Sequence, residues 1–467
     1  MTPEQIAELG PGLAGYLEGY RECFERRPTF EHFETYCRGL LGGEGRKSVE
    51  PMALAAGAGV RAMQVFLTGL RWDERKMRDL AQGKVAAFAA AHAAHAPAGG
   101  PGGRARRLAA GEVGEVGLVD ETAFPKKGEK TPGVQRQWCG SLGKKENCVV
   151  TVHLGHWQEA TGLLTMLDSE LFLPEGWSDD RERCNAAAIP AAMTHRTKPR
   201  IAAGLVKRAL GNGVRFDFLT YDETYGRDPQ FLLDLHEMGQ VGVGEVPSNF
   251  RCLASLPKGR EGREGAKKDL VGQEVYDVAR WSKPFVYQRW VRFEVERETV
   301  GPQAWDVKAA RVHLLRGGEP LPELFWLLVA WNPKTDEYKY FFSNAPADTP
   351  LATLVAVAFK RAHVEHLFRV LKSEVGFGHY EGRSYKGMMR HLTLCQVLLL
   401  FLSLQAADLR GGKRQGRQGR QGRGQPACDG GATGQRLQRP VPPLAGAAAR
   451  TEAPRADLLR PALPPAA

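Results

Sequence analysis

Length, composition and charge place the chain among large globular proteins. Its 467 residues, 43% of them hydrophobic, are enough for two to four domains with a sizeable core. There is no apolar run of about 18 residues, and the N-terminus lacks a basic segment followed by an apolar one, so we expect no membrane span and no export signal. The eight cysteines form no CxxC pair. That pattern favours reduced thiols in a cytoplasmic protein over a zinc ribbon or a disulfide framework.

Most of the net charge of +11 lies at the C-terminal end of the chain. Residues 410–467 hold 11 Lys and Arg against 3 Asp and Glu, a net +8, which leaves +3 for all preceding residues. Bulk charge therefore says little about the body of the protein, and DNA binding there has to rest on local patches. The C-terminal residues repeat Arg-Gln-Gly and then become rich in Pro and Ala. We expect 410–467 to be a basic, low-complexity, disordered tail.

Residues 1–85 have the pattern of a helical, DNA-binding N-terminal domain. Aromatic and aliphatic residues recur at helical spacing over 16–41, and a second helical pair follows over 48–72. Arg46 and Lys47 lie at the start of that pair, where a helix N-terminus and two cations could hold a DNA phosphate. An exposed basic turn on a packed helical domain explains the same two residues equally well.

Residues 86–110 are rich in Ala and Gly and predict an interdomain linker with a basic end. His92 and His95 lie three residues apart in this segment, but no acidic residue or cysteine accompanies them. We therefore interpret the two histidines as an incidental pair and not as metal ligands.

From residue 113 the hydrophobic pattern has a period of two, which indicates strands. Strands and helices then alternate through 111–250, which predicts the first part of an α/β core. The predicted strands are Val113–Asp120, Gln135–Leu142, Cys148–His156, Leu163–Leu173, Val214–Thr220 and Val241–Val246, and the predicted helices are Thr194–Leu210 and Phe231–Met238. Strand-like runs through 251–345 predict a β-rich insertion. Residues 346–409 predict the second part of the core, with a long helix over Leu351–Glu374 and an apolar helix over Met388–Gln405.

The predicted long helix carries a polar stripe beside its apolar one. At about 100° per residue, Arg361, Glu365 and Lys372 lie within roughly 40° of one another. A carboxylate between two cations, on a helix whose neighbouring face is buried, can fix a metal ligand beside phosphates. A solvated ion pair between Arg361 and Glu365, four residues apart, is the simpler alternative.

Three acidic residues in distant segments can form one metal site. Asp120 and Asp222 end two predicted strands, and the long helix offers Glu365. In an open sheet flanked by helices, side chains at the C-terminal ends of strands meet at one edge. Three carboxylates suit Mg²⁺ or Mn²⁺, and two such ions can support an in-line phosphodiester displacement without a side-chain nucleophile. The sequence offers no Gly-x-Ser-x-Gly or recognisable Cys/His arrangement that would supply one.

Four sequence blocks, in order, resemble bacterial insertion-sequence transposases of the DDE superfamily, most like the branch numbered 701. The resemblance covers about residues 15–405 and stops at the tail. The blocks are Gly39-Leu-Leu-Gly-Gly-Glu-Gly-Arg-Lys-Ser48, Val119-Asp-Glu-Thr-Ala-Phe-Pro-Lys-Lys-Gly128 with Gln137-Trp-Cys-Gly140, Asp222-Glu-Thr-Tyr-Gly226, and Arg361-x3-Glu365-x6-Lys372 with Gly378-His-Tyr-Glu-Gly-Arg-Ser384.

The resemblance implies an α+β fold, in which an RNase H-like mixed sheet is flanked by helices and interrupted by the β-rich insertion. The implied catalytic and metal-binding residues are Asp120, Asp222 and Glu365. The implied phosphate contacts near a transposon end are Arg361 and Lys372. Relatives with this glutamate block have a tyrosine three residues before the arginine, where this chain has Ala358. Contacts of that tyrosine are therefore not carried over.

Further residues are candidates for DNA contacts or for replacement ligands. The additional DNA-contact candidates are Arg46, Lys47, Lys126, Lys127 and Arg383, although Lys126 and Lys127 fit a solvated turn equally well. Glu121 and Glu223 are the replacement ligands for the two aspartates, and strand alternation would turn them to the opposite face. Glu374 and Glu381 are weaker substitutes for Glu365.

Together these features predict a cytoplasmic, Mg²⁺-dependent (or Mn²⁺-dependent) DNA transposase. Its expected partner is double-stranded DNA, both transposon ends and target, bound by a homodimer because two ends must be processed together. A catalytically inactive or degenerate DNA-binding derivative, and a metal-dependent nuclease without strand transfer, are the alternatives. The presence of Asp120, Asp222 and Glu365 favours activity over the inactive derivative.

Overall fold

A computed structural model describes residues 3–43, 45–92, 111–254, 276–277, 289–297 and 301–421. His95, most of the predicted linker and residues 422–467 lie outside these ranges. The helices are α1 (Pro3–Glu18), α2 (Arg27–Leu41), α3 (Val49–Ala55), α4 (Val60–Thr68), α5 (Glu74–Ala91), α6 (Glu175–Ser178), α7 (Arg181–Ala186), α8 (Lys198–Gly211), α9 (Glu223–Gly226), α10 (Pro229–Glu237), α11 (Leu351–Phe359), α12 (Ala362–Glu374) and α13 (Tyr385–Gln421). The strands are β1 (Glu115–Pro125), β2 (Gln135–Cys139), β3 (Lys144–Gln158), β4 (Leu164–Leu171), β5 (Phe218–Tyr221), β6 (Gly242–Val246), β7 (Arg251–Leu253), β8 (Tyr276–Asp277), β9 (Val291–Arg297), β10 (Gly301–Arg316), β11 (Glu319–Asn332) and β12 (Glu337–Ser343).

The described strands form one mixed sheet in the order β2-β3-β1-β5-β6-β12-β11-β10-β7-β8, with β4 paired to β3 and β9 to β10. The pairs β1–β5 and β5–β6 are parallel, and the other described pairs are antiparallel. Parallel neighbours need a crossover, and the helices between these strands provide it. This arrangement confirms the predicted α+β fold with an RNase H-like mixed sheet and flanking helices.

The strands predicted as a β-rich insertion extend the same sheet. β12 pairs with β6, and Tyr340 lies opposite Val246. On one face of this extension, Leu232 of α10 packs in a cluster with Val312 and Phe325. The insertion is therefore joined to the core by strand pairing and by apolar packing.

The boundaries of several predicted strands were wrong, most clearly those of the first three. The prediction ended the first strand at Asp120, whereas β1 runs to Pro125 because β3 pairs with it along its whole length. The connection that these predictions left between the second and third strands, residues 143–147, was also misplaced. The turn lies between Cys139 and Lys144, and the residues after it belong to β3. Both errors arose because a long antiparallel partner can keep polar residues in a strand.

The predicted helix over Leu351–Glu374 is two helices. α11 ends at Phe359 and α12 begins at Ala362. Between them, the Lys360 N–H bonds to the Val357 carbonyl, a three-residue step that tightens the last turn of α11. Arg361 consequently occupies the N-cap position of α12.

α13 is the central helix of the core. It packs on β4 and on α2, α4 and α5 of the N-terminal region. Its segment Tyr385–Arg410 is long and apolar enough to cross a membrane, but 67% of the apolar window is buried within the protein. A buried core helix passes the same test, so this segment is weak evidence for a span. α13 also continues to Gln421, so residues 410–421 of the predicted disordered tail are helical.

Arg390 of α13 fastens the N-terminal helices to the core. Its side chain is fully buried, and its guanidinium lies 4.2 Å from the centre of the Trp72 ring. The oxygen atoms that it contacts are the carbonyls of Phe66, Leu67, Leu70 and Trp72 and the carboxylate of Glu74. One cation therefore satisfies carbonyls in the last turn of α4 and in the residues that follow it.

We expect Arg390→Met to lower the free energy of unfolding by about 3–5 kcal/mol, because buried carbonyls and the Glu74 carboxylate lose their donor. Urea denaturation followed by circular dichroism measures this loss. Lys386→Met, one turn earlier and only partly buried, is the matched control and should change stability by less than about 1 kcal/mol. Equal losses in the two variants would contradict the role of Arg390.

His391 is buried in its neutral form beside Arg390. Its Nε2–H donates to the Gly376 carbonyl at 3.1 Å, and its Nδ1 accepts from the Tyr36 hydroxyl at 2.8 Å. Burial lowers the pKa of His391 from 6.5 to about 4. Burial also lowers the pKa of His153, to about 3. Protonation therefore favours the unfolded chain over the folded one.

Protonation of His391 and His153 should lower the stability of the protein as the pH falls below 6.5. Between pH 6.5 and about 4 the unfolded chain binds a proton at His391 and the folded chain does not, so stability falls as pH falls. Each histidine contributes a slope of up to about 1.4 kcal/mol per pH unit. Urea unfolding at a series of pH values should give a shallower slope for His391→Gln than for the natural sequence. An unchanged slope would contradict this account.

Candidate active site

The parallel pairing of β1 with β5 places Asp120 beside Asp222. Leu118 lies opposite Thr220 in that register, and each aspartate follows its paired residue by two positions. β5 ends at Tyr221, so Asp222 is the first residue beyond it. Both aspartates are thus on the same side of the sheet where the parallel pairing finishes.

Local hydrogen bonds fix the position of Asp222. It is the N-cap residue of α9, and its Oδ1 accepts from the backbone N–H of Thr224 at 2.9 Å. The short helix packs directly on β6, since a Cβ atom at Gly226 would overlap the carbonyl of Glu245. This close approach orients Asp222 at the end of β5.

The two aspartates are buried close together, where their carboxylates repel each other. The pKa of Asp120 is raised to about 8, chiefly by burial and then by the neighbouring Asp222, while Arg361 opposes the shift. Burial also raises the pKa of Asp222, with Glu121 as the next cause, and Arg361 again opposes it. Negative charge is therefore concentrated here beyond what Arg361 neutralises, which is the condition that favours a bound cation.

Arg361 lies between Asp120 and Glu365. Its Nη1 is 3.3 Å from Asp120 Oδ2, and its Nη2 is 3.8 Å from Glu365 Oε1. The Asp120 side chain is 14% exposed and that of Glu365 is 69% exposed. The structure thus brings the two aspartates together and holds Glu365 next to them through a shared arginine. The ion pair between Arg361 and Glu365, which was the simpler interpretation of the polar stripe, is present.

The donor set fits a hard divalent cation at the two aspartates. Carboxylate oxygens are the ligands that Mg²⁺ and Mn²⁺ prefer, and each aspartate retains lone pairs that its protein contacts do not fill. Within the described ranges, no group of three His, Cys, Asp or Glu residues has metal-ligating geometry. Glu365 would join the two aspartates only if its pairing with Arg361 changed.

Glu121 points away from Asp120, as strand alternation predicts. Its Oε1 accepts from Lys198 Nζ of α8 at 2.5 Å, and its Oε2 is buried. The Tyr225 side chain is also buried, and Glu121 is among the causes that raise its pKa. Glu223, the other replacement candidate, pairs with Arg227 at 2.8 Å. Both replacement carboxylates therefore have cationic partners.

Lys372 is partly buried on the Asp120 side of the sheet. Its ammonium lies 6.0 Å from the centre of the Phe124 ring and 5.8 Å from that of Phe368. Burial lowers the pKa of Lys372, and Cys139 and Asp120 oppose that shift. A desolvated ammonium beside the carboxylates is well placed to attract a phosphate.

The remaining predicted DNA-contact residues divide into two groups. Lys47 and Lys126 are turned inward: Lys47 donates to the carbonyls of Leu40 and Glu374, and Lys126 donates to that of Tyr380 at 2.5 Å. The outward-facing residues are Arg46, which pairs with Glu381, and the exposed Lys127 and Arg383. Burial also lowers the pKa of Lys126 to about 8. The inward-facing pair serves mainly to hold loops and helix ends.

Sequence reasoning did not find Lys198 and Tyr225. Lys198 opens α8 directly after the N-cap Thr197, and that helix-start pattern is visible in the sequence. Its partner Glu121 lies 77 positions away, however, and no local pattern reports such a pairing. Tyr225 was read only as part of the second aspartate block.

The fold and the paired aspartates agree with comparisons against known proteins. The family described as DDE superfamily endonuclease matches residues 19–98 and 104–311, which is more than half of the chain and includes both aspartates but not Glu365. The chain belongs to this family. It is also 28% identical over 251 residues to a Microchaete diplosiphon protein named as a probable transposase for insertion sequence element IS701. That match covers 53% of this chain and 57% of the relative, so the chain spans little more than half of the relative's length.

We expect Lys198→Met to lower the free energy of unfolding by about 2 kcal/mol, because the Glu121 carboxylate then lies partly buried without its cation. Glu121→Gln in the Lys198→Met background should restore most of that loss. Urea unfolding of the two single variants and the double variant gives the coupling energy between the two side chains. A coupling near zero would show that the contact does not stabilise this side of the site.

Proposed function

We propose that this chain is a DNA transposase that cuts phosphodiester bonds at insertion-sequence ends and transfers the 3′-hydroxyls to target DNA. The observation that carries the proposal is the juxtaposition of Asp120 and Asp222 at the end of parallel strands in a member of the DDE superfamily endonuclease family. The relative named as a probable transposase supports the same reading.

Asp120, Asp222 and Glu365 would hold Mg²⁺ or Mn²⁺ in this proposal. When bound, a pair of such ions supplies activation of the attacking oxygen and stabilisation of the leaving 3′-oxygen. Burial of the two aspartates and their mutual repulsion favour cation binding over two free carboxylates. Glu365 lies in the first turn of α12, where the helix N-terminus stabilises a carboxylate.

Arg361 and Lys372 would bind the phosphates that flank the reacting bond. Arg361 forms an ion pair with Asp120. The ammonium group of Lys372 lies near the ring of Phe124, on the sheet face that carries Asp120. The outward-facing Arg46, Lys127 and Arg383 are the proposed additional DNA contacts. Lys47 and Lys126 are not included in that set because their ammonium groups donate hydrogen bonds to backbone carbonyls.

The proposal includes a homodimer in the cytoplasm. Two ends of one element have to be cut and joined together, which a pair of sites accomplishes most directly. Mass photometry with and without duplex DNA tests this part separately from the chemistry.

We expect Asp222→Asn to lose at least about a hundred-fold in DNA cleavage, because an amide cannot replace a carboxylate ligand. The assay incubates the protein with Mg²⁺ and a labelled fragment that carries its coding sequence and genomic flanks, and then resolves cut and joined products. Glu237→Gln, an exposed acid at the end of α10, is the charge-matched control and should cut normally.

Three outcomes would count against the proposal. Normal cutting by Asp222→Asn would overturn the site. Cutting by the natural sequence without joined products would leave a nuclease in place of a transposase. DNA binding without any cutting, at several divalent ions and pH values, would leave an inactive DNA-binding derivative.

A further inference from the structure

The hairpin formed by β2 and β3 has one face anchored in the protein. Cys139 and Cys148 are fully buried on that face and pack with Ala123 and Val150 in a small apolar cluster. β2 is the terminal strand of the sheet on this side, so its outer edge has no described strand beside it. The buried face gives this edge hairpin a fixed position.

The opposite face of the hairpin presents an aromatic ring between two cations. Trp138 lies opposite Lys145, and Arg136 is two residues before Trp138 on the same face. All three are exposed, and Trp138 retains 62% of its accessible surface. A tryptophan that is this exposed on an anchored strand contributes little apolar burial to the fold, which favours a role in recognition.

This face lies on the same side of the sheet as the candidate active site. Ser141, in the turn of the hairpin, donates to the carbonyl of Ala123 at 3.5 Å, three residues beyond Asp120 on β1. The unshifted registers of β1 with β3 and of β3 with β2 put Trp138 on the same sheet face as Asp120. The hairpin therefore continues the sheet face that carries Asp120, with Lys145 eight positions along β3 from His153, the partner of Asp120.

The chemistry of this surface fits single-stranded DNA. An aromatic ring stacks on an exposed base, and flanking cations pair with the phosphates on either side of that base. Base pairing hides base faces inside a duplex, so the ring can stack only where bases are unpaired or at a strand end. Association with a second copy of the same hairpin would bring like charges together.

We propose that Trp138, with Arg136 and Lys145, binds unpaired nucleotides of DNA that runs along the sheet face carrying the candidate active site. This inference rests on the proposed function, because it assumes that DNA lies across this edge. It assigns the Gln137-Trp-Cys-Gly140 block a role in holding a separated strand.

Fluorescence anisotropy of labelled oligonucleotides tests the proposal on the full chain without divalent ions. One probe is a blunt, fully paired duplex, and the other is the same duplex with a single-stranded 3′ extension. We expect Trp138→Ala to weaken binding of the extended probe by about ten-fold and to leave binding of the blunt probe nearly unchanged. Trp138→Phe keeps a stacking ring and should retain most of the affinity. Lys145→Ala should weaken both probes, because its contact is with phosphate.

Leu324→Ala, which removes another exposed apolar side chain in β11, is the matched control and should bind both probes normally. Thermal unfolding of each variant checks that the fold is intact. Natural affinity of Trp138→Ala for the extended probe, or loss of dimer in place of loss of affinity, would overturn the inference. Failure of the natural sequence to bind either probe would instead refute the proposed function.

Discussion

Two like charges held side by side by strand register are the constraint on which this structure depends. The pairing of Leu118 with Thr220 leaves no freedom to separate Asp120 from Asp222 without shifting a whole strand. A shift of one residue would turn the buried side chains of β5 to the wrong face, so core packing holds the register. The repulsion between the two carboxylates is a consequence of that register. The fold accepts a locally unfavourable arrangement of charge, as functional sites commonly do.

The surroundings show how that arrangement is tolerated. β1 is paired on both sides, by β3 along its whole length and by β5 near its start. Each excess carboxylate next to the site has a cation from a different helix: Lys198 of α8 for Glu121, and Arg361 at the start of α12 for Asp120. Far from the site, buried polar groups such as Arg390 are fully engaged. The sheet edge differs in that its carboxyl groups are only partly neutralised.

Local patterns were sufficient to predict most of the order of strands and helices. They also predicted that Asp120 and Asp222 meet at one edge of the sheet, because strand alternation and the acids that follow it are properties of short segments. Asp120 was nevertheless placed at the end of a strand, since nothing near it announces that β3 will pair as far as Pro125. The inward turn of Lys47 was equally invisible, because its acceptors are the ends of α2 and α12, the second of them 327 positions away. Local sequence indicates which secondary structure a segment prefers. The assembled core decides which other segments it contacts.

The break between α11 and α12 determines the position of Arg361. In one continuous helix, Arg361 would be a mid-helix residue on the border of an apolar stripe. The break makes it the N-cap residue of a new helix, from which its two terminal guanidinium nitrogens reach Asp120 and Glu365. Under the proposed function, the same cation neutralises carboxylates when no metal is bound and becomes available to a phosphate when one is. A short irregularity in the backbone thus places a single arginine where the carboxylates and DNA would compete for it.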